Sequence, residues 1–233
     1  MKRLFPLILI GLIVSSTALS QMKPTFPDLT YKNLGYPSYT FGYMPSNFNL
    51  EYKKLGLDSP IPDGEVTKLG SYQASSSTTL TLYFTTGASD DPELFMFDQN
   101  GKRIFSVGGE GFHFKGRILY VSGSSNHMFD QRRKFVYKDG TYKEVPQPYY
   151  YVGKKGKLKR AIKLYETKAM KNVVATLPKG YDIEIVMAEF EGEEYMPKDQ
   201  YLVKTKFGLV GWIKIGQEDY FGGLIPSLYM MGD

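Results

Sequence analysis

Short alternating segments separated by glycine-containing turns constrain this chain more than any other feature. Residues 78–84 read Thr-Thr-Leu-Thr-Leu-Tyr-Phe, so apolar side chains fall on every second position, as on one face of a strand. Two further segments, 93–97 and 103–107, flank Asp98-Gln-Asn-Gly101. Asn-Gly readily adopts the positive φ values of a tight hairpin turn. The pattern predicts antiparallel strands joined by hairpins.

The same pattern continues along the chain and predicts an antiparallel β-meander. Residues 116–121 form another short strand, and a second hairpin over 134–145 turns at Asp139-Gly140. Strands at a spacing of about ten residues are typical of a meander that closes as a barrel or stacks as a sandwich, and both alternatives remain open. The 19 Tyr and 15 Phe also favour strands. We predict an all-β fold class, with an N-terminal β-domain over residues 21–152.

Residues 21–70 interrupt the pattern because proline is dense there. The segment includes Gly35-Tyr-Pro and Ser59-Pro-Ile-Pro. Proline fixes φ and removes a backbone donor, which excludes long helices and most central strands. We expect a partly irregular segment whose aromatic side chains pack on a neighbouring sheet. A disordered arm over residues 21–36 is the alternative.

Residues 1–20 predict a secretory signal peptide. A Lys-Arg pair follows the first Met, and residues 4–14 form an apolar stretch too short to span a bilayer. Small residues follow, and we place cleavage after Ser20, with cleavage after Ala18 or an uncleaved anchor as alternatives. No later segment approaches about 18 consecutive apolar residues, so no transmembrane segment is expected after signal removal.

The chain contains no Cys, although a signal peptide would direct it to a compartment in which disulfides form. Its stability must then come from buried apolar surface, and small disulfide-dense secreted modules are excluded. A secreted chain without Cys fits a bacterial periplasmic or extracellular protein. The formal net charge of +5 falls when the two N-terminal cations leave with the signal, so no nucleic-acid partner is expected.

Residues 161–215 predict a second, smaller module of short strands. Pro178 and Gly180 reverse the chain in a Leu-Pro-Lys-Gly turn, and Gly211 lets the backbone pass close beside Trp212. The strand-like pieces lie within 161–165, 173–180, 182–186, 201–206 and 208–215. A short basic segment before the module, residues 153–160, is interpreted as a linker, and residues 216–233 as a C-terminal tail apolar enough to dock on a domain surface.

In this spacing the module resembles the bacterial SH3-like (SH3b) domains of cell-envelope proteins. The shared features are the Leu-Pro-Lys-Gly turn at 177–180 and the tight turn before Gly211-Trp-Ile. The resemblance implies a small SH3-like β-barrel over 161–215 that binds peptidoglycan or its stem peptides. The segment 162–168 departs from the family pattern because it lacks an Arg and a Gly-Pro pair, and the loop at 188–200 is long and acidic.

Four aromatic residues of this module are the candidate ligand-binding site. Tyr165, Tyr195, Tyr201 and Trp212 would lie near the face on which SH3-like barrels hold extended ligands. Aromatic side chains there give a large contact area at a low cost in entropy. The alternative interpretation is that Trp212 and the tyrosines are core or half-buried residues of the barrel.

The sequence carries no catalytic motif. The absence of Cys excludes a Cys-His hydrolase, and His113 and His127 lack the spacing of metal ligands. The serines at 122–125 lie near His127 but lack a Gly-x-Ser-x-Gly elbow. Residues 108–111 are glycine-rich but lack the Gly-Lys-Ser/Thr ending of a phosphate loop. We therefore expect no enzyme activity, no cofactor and no metal site.

Three functions remain open on the sequence alone. The preferred one is a secreted, non-catalytic binding protein of the bacterial cell envelope, whose SH3-like module contacts a peptide or peptidoglycan-type ligand, with peptidoglycan or an envelope protein as partner. The second is a structural or assembly protein in which the barrel packs on the first domain, with Tyr149–Tyr151 at the interface. The third is a carboxylate-dependent cell-wall hydrolase, whose acid pair the sequence cannot place.

Overall fold

The computed structural model describes residues 31–32, 40–42, 44, 47–56, 59–61, 65–87, 92–123, 131–189, 200–216, 219 and 223–226. The predicted signal peptide, Tyr195 and most of the tail lie outside these residues. The described residues form seventeen strands in three sheets and no α-helix, which confirms the all-β class.

The strands are numbered in chain order. The first eleven are β1 (Tyr31–Lys32), β2 (Thr40–Gly42), β3 (Asn49–Leu55), β4 (Val66–Ser75), β5 (Thr78–Thr85), β6 (Glu93–Phe97), β7 (Arg103–Gly108), β8 (Gly111–Lys115), β9 (Ile118–Gly123), β10 (Gln131–Lys138) and β11 (Thr141–Glu144). The last six are β12 (Tyr150–Lys157), β13 (Ile162–Tyr165), β14 (Val173–Leu177), β15 (Asp182–Ala188), β16 (Gln200–Thr205) and β17 (Val210–Lys214).

Strands β1 to β11 form a β-sandwich, which decides between the two alternatives for the first domain. The first sheet has the order β1-β2-β8-β9-β10-β11, and the second has the order β3-β4-β5-β6-β7. Apolar side chains of both sheets meet in one shared core. The pairing is antiparallel apart from β2 and β8, which run parallel. The parallel pair is a departure from a pure meander, since the whole second sheet lies between these strands in sequence.

Both predicted hairpins of the sandwich are confirmed. Between β6 and β7, the Asp98 carboxylate accepts hydrogen bonds from the backbone N–H groups of Asn100 and Lys102, each at 2.9 Å. Between β10 and β11, Asp139 and Gly140 both have positive φ values, 53° and 81°, as a tight hairpin turn requires.

The third sheet contains the whole C-terminal module and has the order β12-β15-β16-β17-β13-β14. Within the described residues β12 and β14 are its two edges and do not pair, so the strands do not close into the barrel expected from the SH3-like resemblance. Its core is aliphatic, built around Leu164, Ile185 and Val203. Leu224 and Ile225 of the C-terminal tail are buried in the same core.

The segment interpreted as a linker, 153–160, is largely a strand instead. β12 extends to Lys157 and pairs with β15. Gly153 has a φ of 67° and lies at a register shift between Tyr151 and Lys154, so this glycine serves a bulged strand. The composition that suggested a linker is explained by an edge strand, because glycine at a bulge and lysines toward solvent are both typical of edges.

Direct contacts join the third sheet to the sandwich. The Tyr150 hydroxyl donates a 3.0 Å hydrogen bond to Glu144 of β11, and Arg133 of β10 holds the same carboxylate through two nitrogens, the shorter contact being 2.6 Å. The Arg132 guanidinium lies 5.4 Å from the centroid of the Tyr151 ring. The end of the sandwich and the start of the third sheet therefore share one polar and aromatic junction.

Candidate functional site

The structure separates the four predicted site residues. Tyr165 and Trp212 are partly exposed and lie directly opposite one another on β13 and β17. Tyr201 is fully buried in the core of the third sheet, which matches the alternative interpretation of a core residue. Tyr195 lies outside the described residues. Two of the four are therefore brought together on the surface.

Alternation along β16 explains the position of Tyr201. Tyr201, Val203 and Thr205 are buried, whereas Leu202 and Lys204 between them are more exposed. Side chains of successive residues point to opposite faces of a strand, so Tyr201 and Leu202 cannot share a face. The apolar neighbour of Trp212 on the outer face is therefore Leu202, which lies directly opposite it.

One continuous line of apolar side chains crosses the outer face of the third sheet. Residues directly opposite on neighbouring strands share a face, and the pairing can be followed from strand to strand across the whole sheet. In spatial order the line is Val173, Tyr165, Trp212, Leu202, Met187 and Tyr151. We name these six residues the apolar row. Its two ends are the most open, with Val173 48 % and Tyr151 47 % exposed.

Three register shifts between neighbouring strands align the side chains of the apolar row. Shifts occur beside Tyr151 between β12 and β15, beside Met187 between β15 and β16, and beside Tyr165 between β13 and β14. A shift of one residue transfers a side chain to the other face of the sheet, so each of these irregularities decides which residues join the row. Bulges are over-represented at sheet edges and beside functional sites, where they re-aim side chains.

Gly211 lets β17 approach β13 closely enough to place Trp212 beside Tyr165. A Cβ atom at position 211 would lie 2.9 Å from the Leu164 Cβ and 3.0 Å from the Tyr165 backbone oxygen. The first distance is shorter than any that Cβ atoms adopt in practice. The sequence-based expectation that Gly211 permits a close backbone approach is therefore confirmed, with β13 as the approaching strand.

Tyr149 and Lys168 lie over Trp212. The ring centroids of Tyr149 and Trp212 are 5.9 Å apart with an interplanar angle of 48°. The Lys168 Nζ lies 5.3 Å from the Tyr149 centroid and 5.8 Å from the Trp212 centroid, within the range of cation–π attraction. We name Tyr149 and Lys168 the cap of the apolar row.

Lys168 is fixed in this position by two further residues. Its ammonium donates to both carboxylate oxygens of Glu189, at 2.9 and 2.8 Å, and its backbone oxygen accepts a 2.9 Å bond from the Gln200 side chain. The hydrogen bond to Glu189 raises the pKa of Lys168, which therefore stays charged at neutral pH. The cap thus presents an oriented positive charge beside two aromatic rings.

Among the described residues, this surface presents aromatic rings and one oriented cation, which is a composition suited to binding. Glu189 is bonded to Lys168, and no three His, Asp or Glu side chains within the described ranges come together as a metal site would require. His113 lies in β8 of the sandwich, where burial lowers its pKa. The serine cluster and His127 considered above lie outside the described residues, apart from Ser122, which is buried in β9.

Sequence reasoning missed the cap and four of the six residues of the apolar row. Tyr149 and Tyr151 were considered only as an interface with the first domain, and Lys168, Val173, Met187 and Leu202 were not considered as site residues. A usable signal was present, because Tyr149 and Tyr151 alternate with the buried Tyr150 and so belong to one face. Lys168 follows β13 in an irregular segment, and nothing in its local sequence indicates contact with Trp212.

Comparison of the chain with family models, with curated proteins and with solved structures finds no match in any of the three. Within the part of the chain that the structure describes, no helix has the length and apolar character needed to cross a membrane.

Proposed function

We propose that the protein is a secreted bacterial binding protein of the cell envelope, without catalytic activity, which holds a peptide or peptidoglycan-type ligand on the third sheet. The observation that supports this proposal is the apolar row, which runs across all six strands of that sheet. An aromatic line with a fixed cation beside it matches an extended ligand that carries both apolar groups and carboxylates, as stem peptides do.

The energetic argument rests on the centre of the row. Trp212 and Tyr165 are rigid aromatic residues, and Trp and Tyr are enriched among residues that dominate binding energy. They lie side by side, so a ligand that covers one also removes water from the other. The Lys168 ammonium, held by Glu189, lies close to the Trp212 ring, where it would attract a carboxylate of a ligand.

The proposal is tested by sedimentation of the mature chain, residues 21–233, with purified peptidoglycan. The wild type is compared with a Trp212→Ala, Tyr165→Ala double variant and with Phe207→Ala. Phe207 is the matched control because it is 86 % exposed but lies in the β16–β17 turn, away from the row. We expect saturable binding by the wild type and by Phe207→Ala, and loss of at least about tenfold in affinity in the double variant.

Equal binding by the double variant and the wild type would remove the apolar row as the ligand site. Absence of binding by a folded wild type would remove peptidoglycan as the ligand. Circular dichroism of each variant shows whether the third sheet is intact, so a loss of binding is attributed to the surface only where the fold is retained.

A scaffolding role is the second candidate, and the junction between sandwich and third sheet supports it. Tyr151, at one end of the apolar row, contacts Arg132 of the sandwich, and Tyr150 is bonded to Glu144. If the third sheet serves mainly to brace the sandwich, Arg132→Ala lowers the stability of the sandwich, whereas Trp212→Ala does not. Unchanged stability in both variants, together with loss of ligand binding in Trp212→Ala, would favour the ligand-binding proposal.

A further inference from the structure

The hairpin between β16 and β17 presents the most exposed large apolar side chain of the described residues. Phe207 is 86 % exposed, and Leu209 and Val210, which follow it closely, are 40 % and 45 % exposed. Single apolar side chains on a surface need no explanation, but three within four positions of one hairpin form a patch, and exposed apolar patches mark interaction sites. We name Phe207, Leu209 and Val210 the apolar tip.

Hydrogen bonds within the turn fix the backbone of the apolar tip. The Thr205 N–H donates to the Leu209 backbone oxygen at 2.8 Å, and the Gly208 N–H donates to the Thr205 backbone oxygen at 2.9 Å. The Leu209 N–H donates to the Thr205 hydroxyl at 2.9 Å. Thr205 is itself buried, so the turn is anchored in the third sheet. A fixed turn that holds Phe207 in water has little backbone entropy left to lose when a partner covers the ring.

A hollow of about 470 Å³ with charged walls adjoins the apolar tip. Its lining comes from the end of β12, the start of β15 and the end of β16, and no residue of the apolar row or of its cap is among these lining residues. The hollow reaches the tip because its last lining residue directly precedes Phe207. The charged lining residues are Lys155, Lys157, Asp182, Glu184, Lys204 and Lys206.

The cations of this hollow outnumber its acids by four to two. Lys204 and Lys157 each pair with one of the two acids, with closest contacts of 3.4 and 3.8 Å. Lys155 and Lys206 are exposed and have no acidic partner among the described residues. The hollow therefore carries an excess of two positive charges beside the apolar tip. We name its four lysines the lysine collar.

We propose that the apolar tip and the lysine collar dock this protein on an anionic lipid bilayer. The tip enters the boundary between headgroups and acyl chains, where Phe207 leaves water, and the collar contacts the lipid phosphates. A soluble polyanion would neutralise the lysines but leave Phe207 in water, whereas an anionic bilayer accounts for both features. This surface is independent of the function proposed for the apolar row.

Both parts of the surface are expected to contribute to binding. Removal of a Phe side chain from water corresponds to at least about tenfold in affinity. A lysine near an anionic membrane surface contributes about fivefold. A single apolar anchor of this size gives marginal, reversible attachment, so the charge of the collar decides whether the protein stays on the bilayer.

The test is sedimentation of the mature chain, residues 21–233, with lipid vesicles. One type of vesicle contains phosphatidylcholine alone, and the other contains about 30 % anionic phosphatidylglycerol. We expect saturable binding to the anionic vesicles, at least about tenfold tighter than to the neutral ones. Most of that difference should disappear at about 1 M salt, where the Debye length is about 3 Å.

Two variants remove the two parts of the surface separately. Phe207→Ala is expected to weaken binding to anionic vesicles by at least about tenfold, because the ring no longer leaves water. A Lys155→Gln, Lys206→Gln double variant is expected to weaken it by about twentyfold, because it removes the two cations without an acidic partner. All three side chains are exposed, so both variants are expected to fold, which circular dichroism checks.

Two control variants match these changes and lie on the sandwich. Leu50→Ala shortens an apolar side chain of β3 that is 40 % exposed. A Lys102→Gln, Lys138→Gln double variant removes two exposed lysines and so changes the net charge equally. We expect both controls to bind anionic vesicles like the wild type. Phe207→Ala should still bind purified peptidoglycan, which contains no lipid, so the vesicle assay can fail without the peptidoglycan assay and the reverse.

Three outcomes would overturn the proposal. The first is no binding of the wild type to anionic vesicles up to about 5 mM lipid. The second is equal binding by Phe207→Ala and the wild type, which would leave a contact through charge alone. The third is an equal loss in the two lysine double variants, which would assign the binding to net charge and not to the collar.

Discussion

The β-sandwich and the third sheet use their aromatic residues in opposite ways. The sandwich places aromatic rings in its core, and the fully or largely buried ones are Phe41, Tyr72, Phe84, Phe112, Phe114, Phe135, Tyr137 and Tyr142. The core of the third sheet is aliphatic, with Tyr150 and Tyr201 as its buried aromatic residues. Tyr149, Tyr151, Tyr165 and Trp212 lie on the outer face, and Tyr181 packs against the edge of the core.

The difference shows that aromatic abundance does not by itself identify a binding surface. In the sandwich, rings from the two sheets fill the space between them, as Phe84 does with an edge contact to Phe41 at 5.2 Å. In the third sheet, branched aliphatic side chains fill the core, so aromatic residues are available for the outer face. Which use an aromatic residue has depends on the face of the pleat on which it lies.

The largest expected effect is on the aromatic core. Phe84 is fully buried and contacts Phe41 and Phe112. Phe84→Ala is expected to lower the free energy of unfolding by about 3–5 kcal/mol, because it removes buried apolar area and leaves a cavity. Urea unfolding followed by far-UV circular dichroism measures the change. Phe207→Ala, at an exposed position, serves as the control and is expected to change stability by less than about 0.5 kcal/mol. Similar losses in both variants would contradict the assignment of the core.

The next effect distinguishes the two faces of the third sheet. Tyr201→Ala is expected to lower the free energy of unfolding by about 3 kcal/mol because Tyr201 is buried. Tyr165→Ala, on the partly exposed row, is expected to cost about 1 kcal/mol. The chain has a single Trp, so Trp212 fluorescence during urea unfolding reports on this sheet alone. If Tyr165→Ala destabilised the protein as much as Tyr201→Ala, the row would belong to the core, and the ligand proposal would lose its surface.

Alkaline pH should weaken the sandwich through Tyr72 and Tyr142, whose pKa values are raised by burial and whose hydroxyl oxygens are 2.6 Å apart. Below the ordinary phenol pKa of 10, Tyr72 and Tyr142 are protonated in both the folded and the unfolded chain, so their contribution to stability is constant. Above that pH the unfolded phenols ionise, whereas folded Tyr142 stays neutral up to a pKa of about 12. The unfolded state then binds fewer protons, and the free energy of unfolding falls by about 1.4 kcal/mol per pH unit for each phenol.

Urea unfolding at a series of pH values from about 8 to about 12 measures this slope. The control is Tyr142→Phe, which removes one titrating phenol and should make the slope shallower above pH 10. An equally steep slope in that variant would assign the alkaline instability to other groups.

The sequence correctly predicted the features that depend on local turn chemistry and on the alternation of apolar and polar residues along a strand. Asn100-Gly101 and Asp139-Gly140 each determine a hairpin within a few residues, and both hairpins are present. The parallel pairing of β2 with β8 depends on contacts between segments far apart in sequence, which no local pattern encodes. Residues 153–160 were predicted to be a linker, although most of them belong to β12. The prediction was wrong because a glycine at a bulge and a glycine in a linker look alike in sequence.

The candidate site could be predicted only in part, because strand register depends on contacts between segments that are far apart in sequence. Trp212 and Tyr165 were found as aromatic residues near one another, but the face on which each lies depends on the register of β13 and β17. Met187 and Leu202 join the row through a register shift between β15 and β16, which single-sequence alternation does not reveal.

The smallest expected effect concerns the junction that connects the two regions. Tyr150 is buried and donates to Glu144, and burial together with the neighbouring carboxylate raises the pKa of Tyr150 to about 12. Tyr150→Phe keeps the ring and removes this donor, so we expect a loss of about 1 kcal/mol in the free energy of unfolding. Arg133 still satisfies Glu144 in the variant, which keeps the loss small. The control is Tyr151→Phe, whose ring can still lie beside Arg132, with an expected change below about 0.5 kcal/mol.

In the wild type, Trp212 fluorescence and far-UV circular dichroism should report one unfolding transition if the junction couples the regions. Separation of the two transitions in Tyr150→Phe alone would show that this hydrogen bond contributes to the coupling, whereas separate transitions already in the wild type would show that the two regions unfold independently.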